Sequence, residues 1–96
     1  MNPNMLNKLK KMQKQMMEAQ EQLESKEFFG KASGVIVIMQ GTRQVIDVQI
    51  DDEILEDKEV LQDSLLLAFN DALKQIDKEQ EETMGQFSSG FGGFGF

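Results

Sequence analysis

Side chains that could perform nucleophilic, acid–base or redox chemistry are scarce in this 96-residue sequence. The chain contains no histidine, no cysteine and a single arginine, Arg43. A catalytic nucleophile would need a serine–lysine or carboxylate arrangement in a pocket, and none of the serines lies in a recognisable catalytic motif. We therefore expect no enzymatic activity and no small-molecule substrate.

Carboxylates are the second candidate, because several cluster between a predicted strand and a predicted helix. A divalent cation needs oxygen ligands that converge from several directions, and the spacing here matches no EF-hand loop. Acids at a helix start are favoured by the helix dipole alone, so we expect no metal. The clustered residues are Asp47, Asp51, Asp52, Glu53, Glu56 and Asp57.

A literal G-x-G-x-x-G occurs at the end of the chain, at Gly90, Gly92 and Gly95. A dinucleotide site requires these glycines between a strand and a helix. The chain ends here and no helix follows, so we expect no nucleotide cofactor.

Four lysines near the N-terminus are the remaining candidates. Residues 1–17 contain no acid, whereas the whole chain has a net charge of −7. Three interpretations are open: a solvated helix face, ion pairs with the acids between Asp77 and Glu82, or contacts with nucleic-acid phosphates. The lysines are Lys8, Lys10, Lys11 and Lys14.

The lysines lie on a predicted amphipathic helix over residues 3–25, which Pro3 suits as first residue. Its apolar residues are spaced 4, 3, 4, 3, 4, which is the a/d pattern of a coiled coil. This apolar seam either packs on the core or pairs with a second chain. On a helical wheel Lys10, Lys11 and Lys14 lie almost opposite the seam, with Lys8 on the flank. The seam consists of Met5, Leu9, Met12, Met16, Ala19 and Leu23.

The next segment changes to β-branched residues. Runs at 35–40 and 44–50, separated by a Gly-containing loop at 41–43, predict a β-hairpin, and residues 26–33 could add an edge strand. Alternation predicts that Ile46, Val48 and Ile50 share one face of the last strand. Ile36 and Ile38 point away from Val35, Val37 and Met39, so a second apolar face needs a cover, for which a partner subunit is one candidate.

Residues 57–84 predict a second helix, with Asp57 as its cap and a broad apolar face. That face comprises Leu61, Leu65, Ala68, Phe69, Ala72, Leu73 and Ile76. The fold class is therefore α+β, a two-layer α-β-β-β-α domain over residues 1–84 with a small antiparallel sheet and long first and last helices. Residues 85–96 form a Gly/Phe-rich tail that we expect to be disordered.

An acidic chain could bind nucleic acid through these lysines if the helix projects from the body. Residues 5–24 span about 30 Å as a helix, whereas the Debye length at physiological salt is about 8 Å. Lysines at the tip would then be screened from the acids of the body. The patch lacks the side-chain pattern that reads bases, so any nucleic-acid binding would go mainly through the phosphate backbone.

In order, several segments resemble the YbaB/EbfC family of bacterial nucleoid-associated DNA-binding proteins. They are "LKKMQKQMMEAQEQLE" (9–24), the "QG" at 40–41, "VIDVQID" (45–51), "ILEDKEVLQD" (54–63) and "LLAFNDAL" (66–73). The resemblance implies a homodimer whose helices project like tweezers and bind DNA with modest sequence preference.

The expectations for partners follow from the resemblance and the lysines together. We expect a homodimer that binds double-stranded DNA, acts in the cytoplasm at the nucleoid and affects gene expression or nucleoid organisation, without a membrane partner. The DNA-binding residues would be Lys8, Lys10, Lys11 and Lys14, and the dimer interface would include Leu9, Met12, Met16, Ile36 and Ile38. The alternative is a prefoldin-like or other protein-interaction or chaperone module that binds no DNA.

Overall fold

The computed structural model describes residues 3–90, with the side chains of residues 3–85. Two helices flank three strands and a short 3₁₀ turn, Asp52–Ile54, and the strands form one antiparallel sheet in the order β1-β2-β3. The predicted α+β class and the α-β-β-β-α order are thus confirmed. The elements are α1 (Pro3–Ser25), β1 (Glu27–Ala32), β2 (Val35–Gln40), β3 (Val45–Ile50) and α2 (Lys58–Gly90).

Two tight turns set the register of the sheet. Ala32 pairs with Val35 across a two-residue turn in which Gly34 has a φ of 72°, a value that glycine adopts without steric cost. At the β2–β3 turn, the Arg43 amide donates to the Gln40 carbonyl at 2.8 Å, and Arg43 itself has a positive φ of 71°.

A bulge in β3 corrects one prediction. Asp47 pairs with Ile38, but Val45 rather than Ile46 pairs with the next residue, Met39. The sequence pattern predicted that Ile46 shares a face with Val48 and Ile50. The extra residue interrupts the alternation, so Ile46 does not continue that row.

The second helix starts where the sequence predicted and ends later. The Asp57 carboxylate accepts a hydrogen bond from the Val60 amide at 3.2 Å, which satisfies one of the free donors at a helix N-terminus. The helix ends at Gly90, six residues beyond the predicted end at 84. The predicted tail thus begins within this helix, and its residues 91–96, with Gly92 and Gly95 of the G-x-G-x-x-G match, lie outside the described residues.

The core lies between α2 and one face of the sheet. Val35, Val37 and Met39 of β2 are buried there, and α2 contributes a stripe of small residues at four-residue spacing that ends at Ile76. α2 packs on β1 and β2 but scarcely on β3. The buried stripe is Ser64, Ala68, Ala72 and Ile76, flanked by the half-buried Leu61, Leu65, Phe69 and Leu73.

Gly30 of β1 allows the closest approach between the two layers. A Cβ at this position would lie 2.0 Å from the Ala68 carbonyl oxygen and 2.7 Å from the Ala72 amide nitrogen. Both atoms belong to the helix backbone, which cannot turn aside as a flexible side chain would. The separation of α2 and β1 therefore requires glycine on the strand and small residues on the helix.

We predict that Gly30→Ala destabilises the protein by about 3 kcal/mol, because the added methyl forces α2 away from β1 and opens the core. The midpoint of urea denaturation measures this change. The matched control is Gly85→Ala in α2, where an added Cβ meets nothing within 4 Å and should stabilise the helix slightly. Equal midpoints for Gly30→Ala and the wild type would contradict the prediction.

Candidate nucleic-acid interface

The first helix is held at its C-terminal end. Leu23 is buried in the core, and one groove is lined by Ala19 and Leu23 on one side and by Glu79 and Thr83 of α2 on the other. Lys26, just after α1, bonds to Glu79. Later residues of α1 thus meet earlier residues of α2, so the two helices run antiparallel and the N-terminal part of α1 points away from the sheet.

Gly41 fixes the point where α1 leaves the body. It is buried after β2, and a Cβ there would lie 1.8 Å from the Leu23 carbonyl oxygen and 3.1 Å from the Glu24 Cα. Its amide donates to the Lys26 carbonyl at 3.0 Å. Sequence reasoning did not assign Gly41 this role, since only the fold brings the β2–β3 turn against the end of α1.

Two ion pairs join α2 to the region where the end of α1 meets the β2–β3 turn. The Lys26 ammonium lies 2.7 Å from the Glu79 carboxylate and 5.4 Å from the centre of the Phe28 ring. The Arg43 guanidinium bonds to Asp77 and lies 3.5 Å from the Gln80 side-chain oxygen. All four charged groups are partly exposed, so each pair contributes at most about 1 kcal/mol and serves mainly to orient the elements.

The predicted DNA-binding lysines lie on the N-terminal part of α1, residues 3–17, which we call the arm. Lys8, Lys10, Lys11 and Lys14 are all exposed. Among the described residues, neither ion pair involves an arm lysine. Their ammonium groups are therefore available to an external anion.

The structure does not support the interpretation in which the arm lysines pair with the acidic stretch between Asp77 and Glu82. Asp77 and Glu79 bond instead to Arg43 and Lys26. The helices are antiparallel, and Ala19 and Thr83 line the same groove. Lys14 and the lysines before it therefore lie beyond the level of this acidic stretch, toward the N-terminus of α1.

Distance separates the arm from most acids of the body. Lys8 is fifteen residues before the anchored Leu23, or about 22 Å at 1.5 Å per residue, which exceeds the screening length of about 8 Å. The nearest acid on the helix is Glu18, one turn beyond Lys14. The positive potential is thus strongest toward Lys8, Lys10 and Lys11.

The sequence predicted a second apolar face of the sheet, and no helix of the described residues packs on it. Ile36 and Ile38 of β2 lie on the side away from α2 and are half-buried. Their strand neighbours are Phe29 and Lys31 in β1 and Asp47 and Gln49 in β3. These six residues, the open sheet face, have an apolar centre and a rim that is polar except for Phe29, which resembles the usual anatomy of a protein interface.

The apolar seam of α1 becomes more exposed toward the tip of the arm. Leu23 is buried and Met12 and Met16 are half-buried, whereas Leu9 is 41% exposed and Met5 60% exposed. The C-terminal end of the seam therefore belongs to the core. The N-terminal end has apolar side chains without a cover among the described residues.

Three of the six clustered acids accept hydrogen bonds from nearby backbone amides. Asp51 accepts from the Glu53 amide at 3.3 Å, Asp57 caps α2, and Asp47 accepts from the Val48 amide at 2.9 Å. Within residues 3–90, no three acidic side chains converge as metal ligands would. None of the described helices is both long and apolar enough to cross a bilayer.

Comparisons with known proteins identify a family and a shared fold. A family model described as the YbaB/EbfC DNA-binding family matches residues 1–91. A nucleoid-associated protein of Enterococcus faecalis is 42% identical over 94 residues, covering 94% of this chain and 90% of that protein. A nucleoid-associated protein of Oceanobacillus iheyensis is 43% identical over 97 residues, covering 94% of this chain and 93% of its own length.

A solved structure shows the same fold. The crystal structure of an uncharacterized protein from Helicobacter pylori superimposes with a TM-score of 0.73 at 29% sequence identity. The alignment covers 91% of this chain and 97% of that chain. Both helices and the sheet thus belong to one shared architecture.

We predict that Gly41→Ala loosens the arm, because the new methyl cannot coexist with the Leu23 carbonyl. Trypsin should then cleave after the arm lysines several times faster than in the wild type, since local unfolding exposes the helix backbone. Mass spectrometry of the early fragments measures this. The exposed neighbour variant Thr42→Ala is the control, and an unchanged cleavage rate in Gly41→Ala would refute the role of Gly41.

Proposed function

The chain belongs to the YbaB/EbfC DNA-binding family, and we propose that it binds duplex DNA as a non-catalytic homodimer at the nucleoid. The arm lysines contact the phosphate backbone, so sequence preference is modest. Such binding would affect nucleoid organisation or gene expression.

One observation carries the assignment of the site. The exposed Lys8, Lys10, Lys11 and Lys14 have no ion-pair partner among the described residues, although the chain has seventeen acids. A protein that needed these lysines for stability would pair them with its own carboxylates. Exposed lysines without an ion-pair partner, on a helix that extends away from an acidic body, instead favour an external polyanion.

The dimer is supported by the uncovered apolar surface. Ile36 and Ile38 lie at the centre of the open sheet face, and Leu9, Met12 and Met16 lie on the seam of α1. Burying Ile36 and Ile38 against a second copy would remove their remaining exposed apolar surface from water at about 25 cal/mol per Å². A two-fold axis would use the same face from both chains.

The dimensions of the sheet favour the use of both surfaces. Three strands of six residues cover about 14 by 20 Å, or about 300 Å² in projection. Side chains that protrude from the sheet could double this area, but it would still be smaller than the area of about 800 Å² that each partner buries in a standard stable interface. The seam residues would supply the difference.

We predict that the arm variant Lys10→Glu, Lys11→Glu, Lys14→Glu loses most of its affinity for duplex DNA, because six of the eight arm lysines of a dimer are reversed in charge. If all eight contact phosphates, the slope of log K against log salt concentration is about −7 for the wild type. For the variant its magnitude decreases, to a slope between about −2 and zero. Mobility shift or fluorescence anisotropy at several salt concentrations measures both quantities.

The control is Lys58→Glu, Lys74→Glu, Lys78→Glu, which introduces the same charge change at exposed positions of α2. We expect it to keep a slope near the wild-type value, because its charges lie on the body and are screened from the arm. If both variants lose affinity equally, net charge and not the arm determines binding. If the arm variant binds as the wild type does, the site assignment is wrong.

We predict that Ile38→Asp converts the dimer to a monomer, because the new carboxylate would be buried without a partner at the centre of the interface. Analytical ultracentrifugation at micromolar concentration measures the mass. Leu66→Asp on α2, where the leucine is 62% exposed, is the matched control and should leave the mass unchanged. A dimeric Ile38→Asp would exclude the open sheet face, and Leu9→Asp then tests the seam.

A further inference from the structure

We propose that Asp71 and Gln75 of α2 form an edge lock, which closes the free edge of β1 against pairing with a second copy of this chain. The edge lock belongs to the sheet and is independent of DNA binding. It rests on which backbone groups of β1 point away from β2, and on which atoms they meet.

The register identifies the outward groups of β1. The Gly41 amide donates to the Lys26 carbonyl, and Phe28 and Gly30 pair with Met39 and Val37. In an antiparallel ladder, residues that exchange hydrogen bonds alternate with residues that do not. The backbone groups of Phe29 and Lys31 therefore point to the outside of the sheet, where a further strand would bind.

Side chains of α2 already form hydrogen bonds with these groups. The Lys31 amide donates to the Asp71 Oδ2 atom at 2.9 Å, and the Gln75 Nε2 atom donates to the Phe29 carbonyl at 2.8 Å. Gln75 Nε2 also donates to Asp71 Oδ2 at 3.2 Å. The two side chains thus provide one acceptor and one donor, as a neighbouring strand would.

The close packing at Gly30 brings the short Asp71 side chain within reach. The backbone of α2 at Ala68 and Ala72 lies directly over Gly30, and Asp71 and Gln75 follow on the β1 side of the same helix. A bulkier residue at position 30 would lift the helix and break both bonds. The "NDA" at 70–72 thus combines a packing residue with a residue that caps the edge.

An open β1 edge would favour association between chains, because an unprotected edge is a template for intermolecular pairing. The adjacent Phe28 and Phe29 of β1 would add apolar contacts to such pairing. The partner we infer is β1 of a second copy. Two identical edges related by a two-fold axis pair antiparallel, which matches the outward N–H and C=O groups of Phe29 and Lys31 with each other.

Hydrogen exchange tests the lock directly. The Lys31 amide points away from β2, and the acceptor it meets among the described residues is Asp71. We expect it to exchange at least about tenfold more slowly than an unstructured amide in the wild type, and to lose this protection in Asp71→Ala. Asp71→Asn keeps an acceptor oxygen and should retain protection. An unprotected Lys31 amide in the wild type, or equal rates in wild type and Asp71→Ala, would overturn the proposal.

Self-association is the second test. The double variant Asp71→Ala, Gln75→Ala should form species of at least about twice the wild-type mass as concentration rises, because two opened edges pair. The control, Gln62→Ala with Asp63→Ala, makes the same chemical change at exposed positions of α2 and should keep the wild-type mass. A double variant that is folded by circular dichroism and retains the wild-type mass at every concentration would contradict the closed edge.

Discussion

The arrangement of this protein depends on the contact between the backbone of α2 and strand β1 at Gly30. An added Cβ would lie 2.0 Å from the Ala68 carbonyl, so the contact exists only because the strand has no side chain there and the helix has small ones. This contact draws α2 over β1 and β2 and leaves β3 with little cover. It also places Asp71 and Gln75 at the outer edge of the sheet, where they bond to the backbone of β1.

The arm depends on a similar contact at the other end of the sheet. Gly41 lies against the carbonyl of Leu23, so α1 is anchored at its last turns and its lysines lie exposed toward its N-terminus. The ion pairs of Lys26 and Arg43 with α2 occupy basic residues of the body. The packed core and most of the acids therefore lie in the body, whereas the exposed positive charge of the first helix lies in the arm.

Incomplete burial follows from the small size of the chain. α2 packs on β1 and β2 and scarcely on β3. It continues beyond the sheet and does not turn back over β3 or the open sheet face. Chains of this length bury a smaller fraction of their surface than larger domains do. Association with a second copy is the simplest way to cover Ile36 and Ile38, and a closed β1 edge would direct that association to the faces of the sheet.

Much of the local structure could be predicted from the sequence. Heptad spacing gave α1, β-branched runs gave the hairpin, and Asp57 marked the start of α2, because these features depend on residues that are neighbours along the chain. The two faces of β2 also followed from alternation, since successive side chains of a strand point to opposite sides. The family resemblance, carried by ordered segments between residues 9 and 73, was likewise available before the structure.

Other features were decided by contacts between residues far apart in sequence. The bulge that displaces Ile46, the extension of α2 to Gly90 and the roles of Gly30, Gly41, Asp71 and Gln75 could not be read from local spacing. The same holds for the arm lysines. Their types and positions on the helix were evident from the sequence, but only the tertiary structure showed that Asp77 and Glu79 bond to Arg43 and Lys26 instead. The physical reason is that an ion pair requires proximity in space, which is set by how α1 leaves the sheet at Gly41.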